Sequence, residues 1–560
     1  MRTHCPNPRS ISWLIFACFV ASPAWGADVL TYHNNNARTG LNDNESQLRP
    51  GNVTPATFGP LYSRILDGHV YAQPLYKAGV PIAGQSRNVV YVATQHNTVY
   101  AFNADDSNTN PNTAPLWRRS LLLPGESPVP SNKNQQGDND VHNFDIWPEI
   151  GVTGTPVIDG STGTLYVVSK AKVLSAPPSY VHRLHALDLA TGDEKFGGPV
   201  EINGVCPGTG NGFFDPNTGN RFDDHDGADS TGQRFIPFRP LLQHQRAGLL
   251  LCRGLVYVAF ASHGDTNPYH GWLFGFDSVY LRKPPIIFNT TPDGGRGGIW
   301  QGGAGPAADD EGNIYFATGN GTVDPNSRNF GDSVLKLKPG ASAFKVGDFF
   351  TPTAQIDQSD PVLGDMDLGA GGVVLLPRQA PDGPDLLVIA GKERKIHLLD
   401  RNNLGRFGQG PGGSDASLQG LTNAVNEKFG LPAFFDGKLY YAGNGDPIKL
   451  FQFNQGTLAA TPISSNTTFP KAPTPSVSSL NNQNGIVWVI RVEGYQPDKP
   501  AVLYAYHALT LAELYNSTQG QPSARDLPGP AIKHSIPTIA DGKVFVGSQY
   551  RLTVFGLREP

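Results

Sequence analysis

The chain has 560 residues, of which 65 are glycine and 48 proline, while charged residues make up only 16%. Such a composition leaves little room for helix and suits many short strands joined by turns. The net charge of −5, from 43 basic against 48 acidic residues, comes with no basic run or aromatic-basic stripe, so the sequence points away from nucleic acid as a partner.

At the N-terminus, Arg2 and Arg9 precede an apolar stretch from Ile11 to Ala21, and Ala24-Trp25-Gly26 supplies a cleavage site. Residues 1–26 therefore read as a signal peptide, with the mature chain beginning near Ala27. Cys18 lies within the apolar stretch, but the bulky Phe16 two residues earlier argues against a lipid-carrying cysteine. No later segment approaches the roughly 20 apolar residues of a membrane span, so a periplasmic or secreted product is expected. Because no linker divides residues 27–560, one large, closed, repetitive all-β domain is expected there. The mature chain keeps two cysteines, Cys206 and Cys252, with no Cys-x-x-Cys-His for covalent haem. They either pair in an oxidising compartment or stay buried as thiols, and the sequence leaves both readings open.

Just after the signal peptide lies His33-Asn34-Asn35-Asn36-Ala37-Arg38-Thr39-Gly40. An arm reaching a central funnel and simple Asn/Gly turn chemistry account for it nearly equally, so no role is assigned.

From there a unit recurs: a short strand often carrying Pro or Gly, a turn, a β-branched and aromatic strand, then another strand ending near Asp. The first strands of the units are Gln73–Tyr76, Thr155–Ile158, Ala247–Leu250, Gly305–Ala308, Gly371–Val374, Leu431–Phe434, Thr474–Val477 and Ile536–Ile539. Eight units predict an eight-bladed β-propeller of four-stranded antiparallel blades, with small residues and Pro on the crowded innermost strands. The last unit lacks room for a fourth strand, and Leu61 to Leu66 is expected to supply it and close the ring. Two insertions, Asp105 to Asn143 and Pro199 to Leu241, are rich in Gly, Asn, Asp and Pro and read as loops, more readily as surface decoration than as binding elements.

Units three to five carry the residues with chemistry. Gly297-Gly298-Ile299-Trp300 precedes a Tyr-containing strand that ends Thr318-Gly319-Asn320. One unit earlier, a Val-rich strand ends Ser262-His263-Gly264-Asp265, ahead of a Gly271-led strand that ends Phe276-Asp277. One unit later, Asp365-Met366-Asp367-Leu368-Gly369 runs into an innermost strand, and Lys392 stands eight residues before Asp400-Arg401. In this order and spacing the segments resemble the pyrroloquinoline quinone (PQQ)-dependent alcohol dehydrogenases, the eight-bladed quinoproteins. The resemblance implies that Trp300 floors the quinone, Asp265 and Asn320 bind the metal, Asp367 is the catalytic base, and Lys392 contacts the quinone. Asp265 stands where the family has Glu, Met366 where it has Trp, and the family's vicinal Cys pair has no counterpart around Glu149–Thr153. Gly369 replaces the second Asp of lanthanide-using relatives, so Ca²⁺ is the ion implied.

The residue types make chemical sense without the name. Trp offers the largest π-face for a planar quinone, and carboxylate and amide oxygens suit a hard cation. Asp367 could take a hydroxyl proton, while Lys392 could stabilise charge on a reduced cofactor. His244-Gln245-Arg246 and His263 are expected near the funnel, with Arg246 and His263 as candidate contacts to cofactor carboxylates; a hydrogen-bonded blade junction explains them equally. Lacking its own haem motif, such an enzyme, acting on a small alcohol or sugar, would pass electrons to an external acceptor such as a cytochrome. The alternative is a non-catalytic scaffold of the outer-membrane assembly type, because propellers host many functions.

Overall fold

The computed structural model describes residues 28–558 apart from 132–138, 216–219, 227, 325–327, 356–364, 380, 494–498 and 520–525. The expected signal peptide lies outside the described residues. Eight antiparallel sheets follow one another along the chain, so the all-β, eight-bladed propeller is observed. Their innermost strands include Leu75–Ile82, Val157–Asp159, Leu250–Cys252, Ala307–Ala308, Val374–Leu375, Ala433–Phe435, Ser476–Leu480 and Thr538–Ala540. Each overlaps the segment expected from the repeat. Among the described residues the helical pieces are three-residue 3-10 turns, and no helix is long and apolar enough to cross a membrane.

Blades are numbered here in that order. Blade 8 is closed by Phe58–Ile65, which pairs antiparallel with the last strand, Arg551–Leu557, from Phe58 opposite Leu557 to Ile65 opposite Arg551. The closing strand therefore starts three residues before the expected Leu61, and a bulge between Pro60 and Tyr62 accommodates the proline that cannot donate to the ladder.

The core is a ring of layers between blades. Between blades 2 and 3, for example, Tyr166, Val168 and Leu184 pack with Leu249, Val258, Phe260 and Trp272. Between blades 7 and 8, Trp488, Ile490 and Leu503 pack with Val544, Val546 and Phe555. Each sheet buries both faces, which explains the near-continuous apolar runs such as Val256–Ala261. Cys206 and Cys252 are both free thiols, partly buried beside these layers.

The His33–Gly40 segment has a role that the sequence left unassigned. Residues 29–42 run around the axis at the end where the first strand of each blade turns into the second, and they touch the innermost strand region of every blade. Val29 exchanges two main-chain hydrogen bonds with Tyr76 of blade 1, and the carbonyl of Leu30 accepts from the Ile158 amide of blade 2 at 2.7 Å. The carbonyls of Asn36, Ala37, Thr39 and Gly40 then accept from Ala308, Leu375, Phe434 and Val477 of blades 4 to 7 at 2.7–2.9 Å. Asn36 also donates to Leu251 of blade 3, and Asn42 to Ile539 of blade 8. Main-chain groups that an innermost strand would leave unpaired are thus satisfied. At the centre, the fully buried Arg38 donates to the carbonyls of Tyr32, Leu249 and Pro306 and to Thr31 Oγ1 over 2.7–3.1 Å. Burial pulls its pKa down to about 9, against the pull of Tyr32, so it stays charged at neutral pH. Gly40 has φ +70°, and a Cβ there would overlap the His33 ring, so glycine is required.

Candidate active site

The opposite end of the axis is built by turns between second and third strands and by the links from one blade to the next. Main-chain hydrogen bonds set these loops against one another. Gly297 donates to the Asn320 carbonyl at 2.8 Å, Gly319 to Gly298 at 2.9 Å, and Lys392 to Asp367 at 3.2 Å. Trp300, Asn320, Asp367 and Lys392 are thereby placed by backbone rather than by side-chain chance.

Asp367 is the centre of the group. It is buried, and its Oδ1 finds no hydrogen-bond partner among the described residues. Its Oδ2 lies 3.3 Å from Lys392 Nζ, which is also paired with Asp365 Oδ2. Asn320 Nδ2 donates to Asp365 Oδ1 at 2.6 Å. A Cβ at Gly319 would overlap Asp367 Oδ1 and press on the Trp300 indole, which shows how closely the two sit. The Trp300 ring is 7% exposed, meets Tyr269 edge-on at 6.1 Å, and has the Arg246 guanidinium over it at 5.3 Å. Tyr269 in turn donates to Asp265 Oδ1 at 2.6 Å. A continuous set of contacts therefore joins Asp265, Trp300, Asn320, Asp367, Lys392 and Arg246.

Burial raises the Asp367 carboxyl to about 6, moderated by Lys392 and reinforced by Asp365 and Asp265. For Lys392, burial favours the neutral amine, but Asp367 and Asp365 outweigh it and raise its pKa above the ordinary value. Beneath them, Asp332 accepts from the Leu368 amide at 3.2 Å, and burial first, then Asp367, keeps its carboxyl protonated far above the usual range. Asp367 is thus the buried carboxyl of this group poised to change protonation near neutral pH.

His263 is drawn into a different cluster. Its Nε2 lies 2.7 Å from Lys170 Nζ, and its ring stacks on His244 at 4.3 Å. Burial, then Lys170, keeps it neutral, so it belongs to a blade-junction network rather than to the Trp300 group. Asp265 and Asn320 each have a protein partner, and among the described residues no three His, Cys, Asp or Glu side chains converge to hold a metal ion.

Residues unassigned from sequence complete the mouth. The end of the first insertion and the residues just after it reach the mouth: Asn143 abuts Gly264, and Asp145 pairs with Lys533 of the link between blades 7 and 8 at 2.6 Å. That insertion is therefore more than surface decoration. Phe429 lies under Lys392 Nζ at 5.6 Å. Asp365 stood within the motif and was legible as a second carboxylate; Tyr269, Asp145 and Lys533 had no motif to mark them.

No protein-family model matches the chain, and no curated protein matches it by sequence. The structure defines the class: this is an eight-bladed β-propeller of the fold seen in quinoprotein dehydrogenases. Solved structures of that fold include the quinohemoprotein alcohol dehydrogenase of Comamonas testosteroni, 15% identical with TM-score 0.55, over 95% of this chain and 82% of that one. A quinohemoprotein alcohol dehydrogenase of Pseudomonas putida HK5 is 13% identical with TM-score 0.56, over 95% and 81%. A europium-containing methanol dehydrogenase is 12% identical with TM-score 0.56, over 95% and 98%.

Proposed function

We propose that the protein is an exported quinoprotein dehydrogenase, oxidising the hydroxyl of a small alcohol or sugar with PQQ and passing electrons to an external acceptor such as a cytochrome. The observation that carries this is Asp367: a buried carboxylate with one oxygen that has no partner among the described residues, a lysine ammonium at 3.3 Å and an indole alongside, at the open end of a propeller. The residues suit the quinone, a planar polycarboxylate: Trp300 offers a π-face, and Lys392, Arg246 and Lys533 supply positive charge. Arg246 stands over the Trp300 ring, so stacking requires that guanidinium to swing aside.

When bound, PQQ would supply the two-electron acceptor that the polypeptide lacks. Asp367, ionised above about pH 6, accepts the hydroxyl proton. Lys392 holds Asp367 through the ion pair and provides positive potential beside the reacting group. Tyr269 and Asp332 are buried beside the group.

Calcium belongs to the proposal through the oxygen atoms of Asp265 and Asn320, which are of the right chemical kind. Their present partners do not form a metal cage, so no step is assigned to the ion. The test is titration of the metal-free protein with PQQ, with and without Ca²⁺, followed by dye reduction with a panel of alcohols and sugars. Saturable PQQ binding and substrate-dependent dye reduction are expected. Absence of both overturns the proposal and favours the scaffold.

A further inference from the structure

Asp332 sits beneath Asp367 and has no place in the motif that marks it. It lies in the blade 4 hairpin between Ile314–Ala317 and Val334–Pro339, the hairpin that also carries Asn320. Its backbone is left-handed at φ +42°, its amide donates to the Gly319 carbonyl at 2.8 Å, and the residue is 1% exposed. From there its Oδ1 reaches the link between blades 4 and 5 and accepts from the Leu368 amide at 3.2 Å.

Leu368 opens the three-residue 3-10 turn Leu368–Ala370, and Asp367 stands in the capping position just before it. An Asp in that position ordinarily folds its carboxylate back onto the amides of the turn it precedes. Asp367 makes no such bond with its turn. The leading amide is held by Asp332 instead, and the Asp367 carboxylate faces Lys392 Nζ at 3.3 Å. Two acidic side chains from different elements thus divide the roles: one caps the turn and the other is left for chemistry. Gly319 sets their spacing, since its carbonyl accepts from the Asp332 amide while a Cβ on it would overlap Asp367 Oδ1.

We propose that Asp332 is the positioning residue of Asp367, capping the Leu368 turn in its place and so keeping its carboxylate turned toward Lys392. The consequence for turnover rests on the dehydrogenase reading, whereas the cap itself does not. Crystal structures of cofactor-free Asp332→Gly and Asp332→Asn, with steady-state kinetics of the same variants given PQQ, test it. Glycine removes the acceptor and suits the left-handed backbone, so the fold is retained. In that variant the Asp367 carboxylate is expected to turn onto the amides of Leu368–Ala370, with kcat about 10- to 100-fold lower and KM within about twofold. Asn offers a neutral oxygen acceptor, as the buried, protonated Asp332 does, and is expected to retain the wild-type orientation and kcat. An Asp367 side chain unmoved in Asp332→Gly overturns the inference, as does an Asp332→Asn variant that loses as much kcat as the glycine variant. A turned Asp367 in a protein that neither binds PQQ nor turns over upholds the cap and overturns the dehydrogenase. An unmoved Asp367 with wild-type PQQ-dependent turnover does the reverse.

Discussion

The two ends of the propeller axis each hold a cation, Arg38 fully buried and Lys392 partly so, and satisfy it differently. At the closed end, Arg38 is held by main-chain carbonyls and one hydroxyl, none of which titrates. At the open end, Lys392 is held by the carboxylates of Asp365 and Asp367, and burial raises the Asp367 carboxyl to about 6. Carbonyl partners belong to the strands themselves, so the cation ties blades together. Carboxylate partners are side chains that can change charge, which is what the proposed chemistry at this end requires.

The contrast is sharpest where one side chain is removed at each end. Asp367→Asn is expected to lower turnover about 10³- to 10⁴-fold while PQQ binding persists. Its effect on stability has the opposite sign: a carboxyl raised to about 6 stabilises the fold fully only below the unfolded value and loses that advantage as pH rises through 6. The Asn variant is therefore expected to melt no lower than wild type at pH 8. Arg38→Met should cost about 3 kcal/mol, because it strands several buried carbonyls, and urea unfolding reads this directly. A loss below about 1 kcal/mol would show that the arm does not tie the blades.

Gly40→Ala comes next, at about 2 kcal/mol, from a left-handed backbone and the overlap with His33. It should leave the pH profile of turnover unchanged, and a shifted profile would mean that the two ends are coupled. The smallest effect concerns the acid limb, which falls as pH drops through about 6. Lys392→Gln should move that limb upward by about one unit, since the ammonium is what moderates the burial of Asp367. A downward shift would break the assignment of the limb to Asp367.

Most of the fold was legible because each innermost strand carries its own local marks, Pro or Gly before a β-branched run, as in Thr155-Pro156-Val157-Ile158. The closing strand was found but begun late, since Pro60 reads as a terminator when it marks a bulge. In the site, Trp300, Asn320, Asp367 and Lys392 were legible because each stands at a fixed offset from a strand, and the fold converts that offset into position. His263 shares such an offset yet joins Lys170, because sequence does not say which way a loop side chain faces. Contacts across the axis left no local trace. Arg38 with Leu249 and Pro306, or Asp145 with Lys533, join residues hundreds of positions apart or from different blades. The Asn-Gly chemistry of residues 33–40 announced turns, but not that the arm they belong to, residues 29–42, would meet eight blades.

If the open end works through Asp367 on a quinone-dependent reaction, the quinone must bind the protein and turnover must need that carboxyl. Equilibrium titration of wild-type protein and Asp367→Asn with PQQ, with dye reduction measured on the same samples, tests it most directly. Both proteins should bind PQQ, and only the wild type should reduce dye with an alcohol or sugar. Failure of the wild type to bind PQQ, or undiminished dye reduction by the variant, would contradict it.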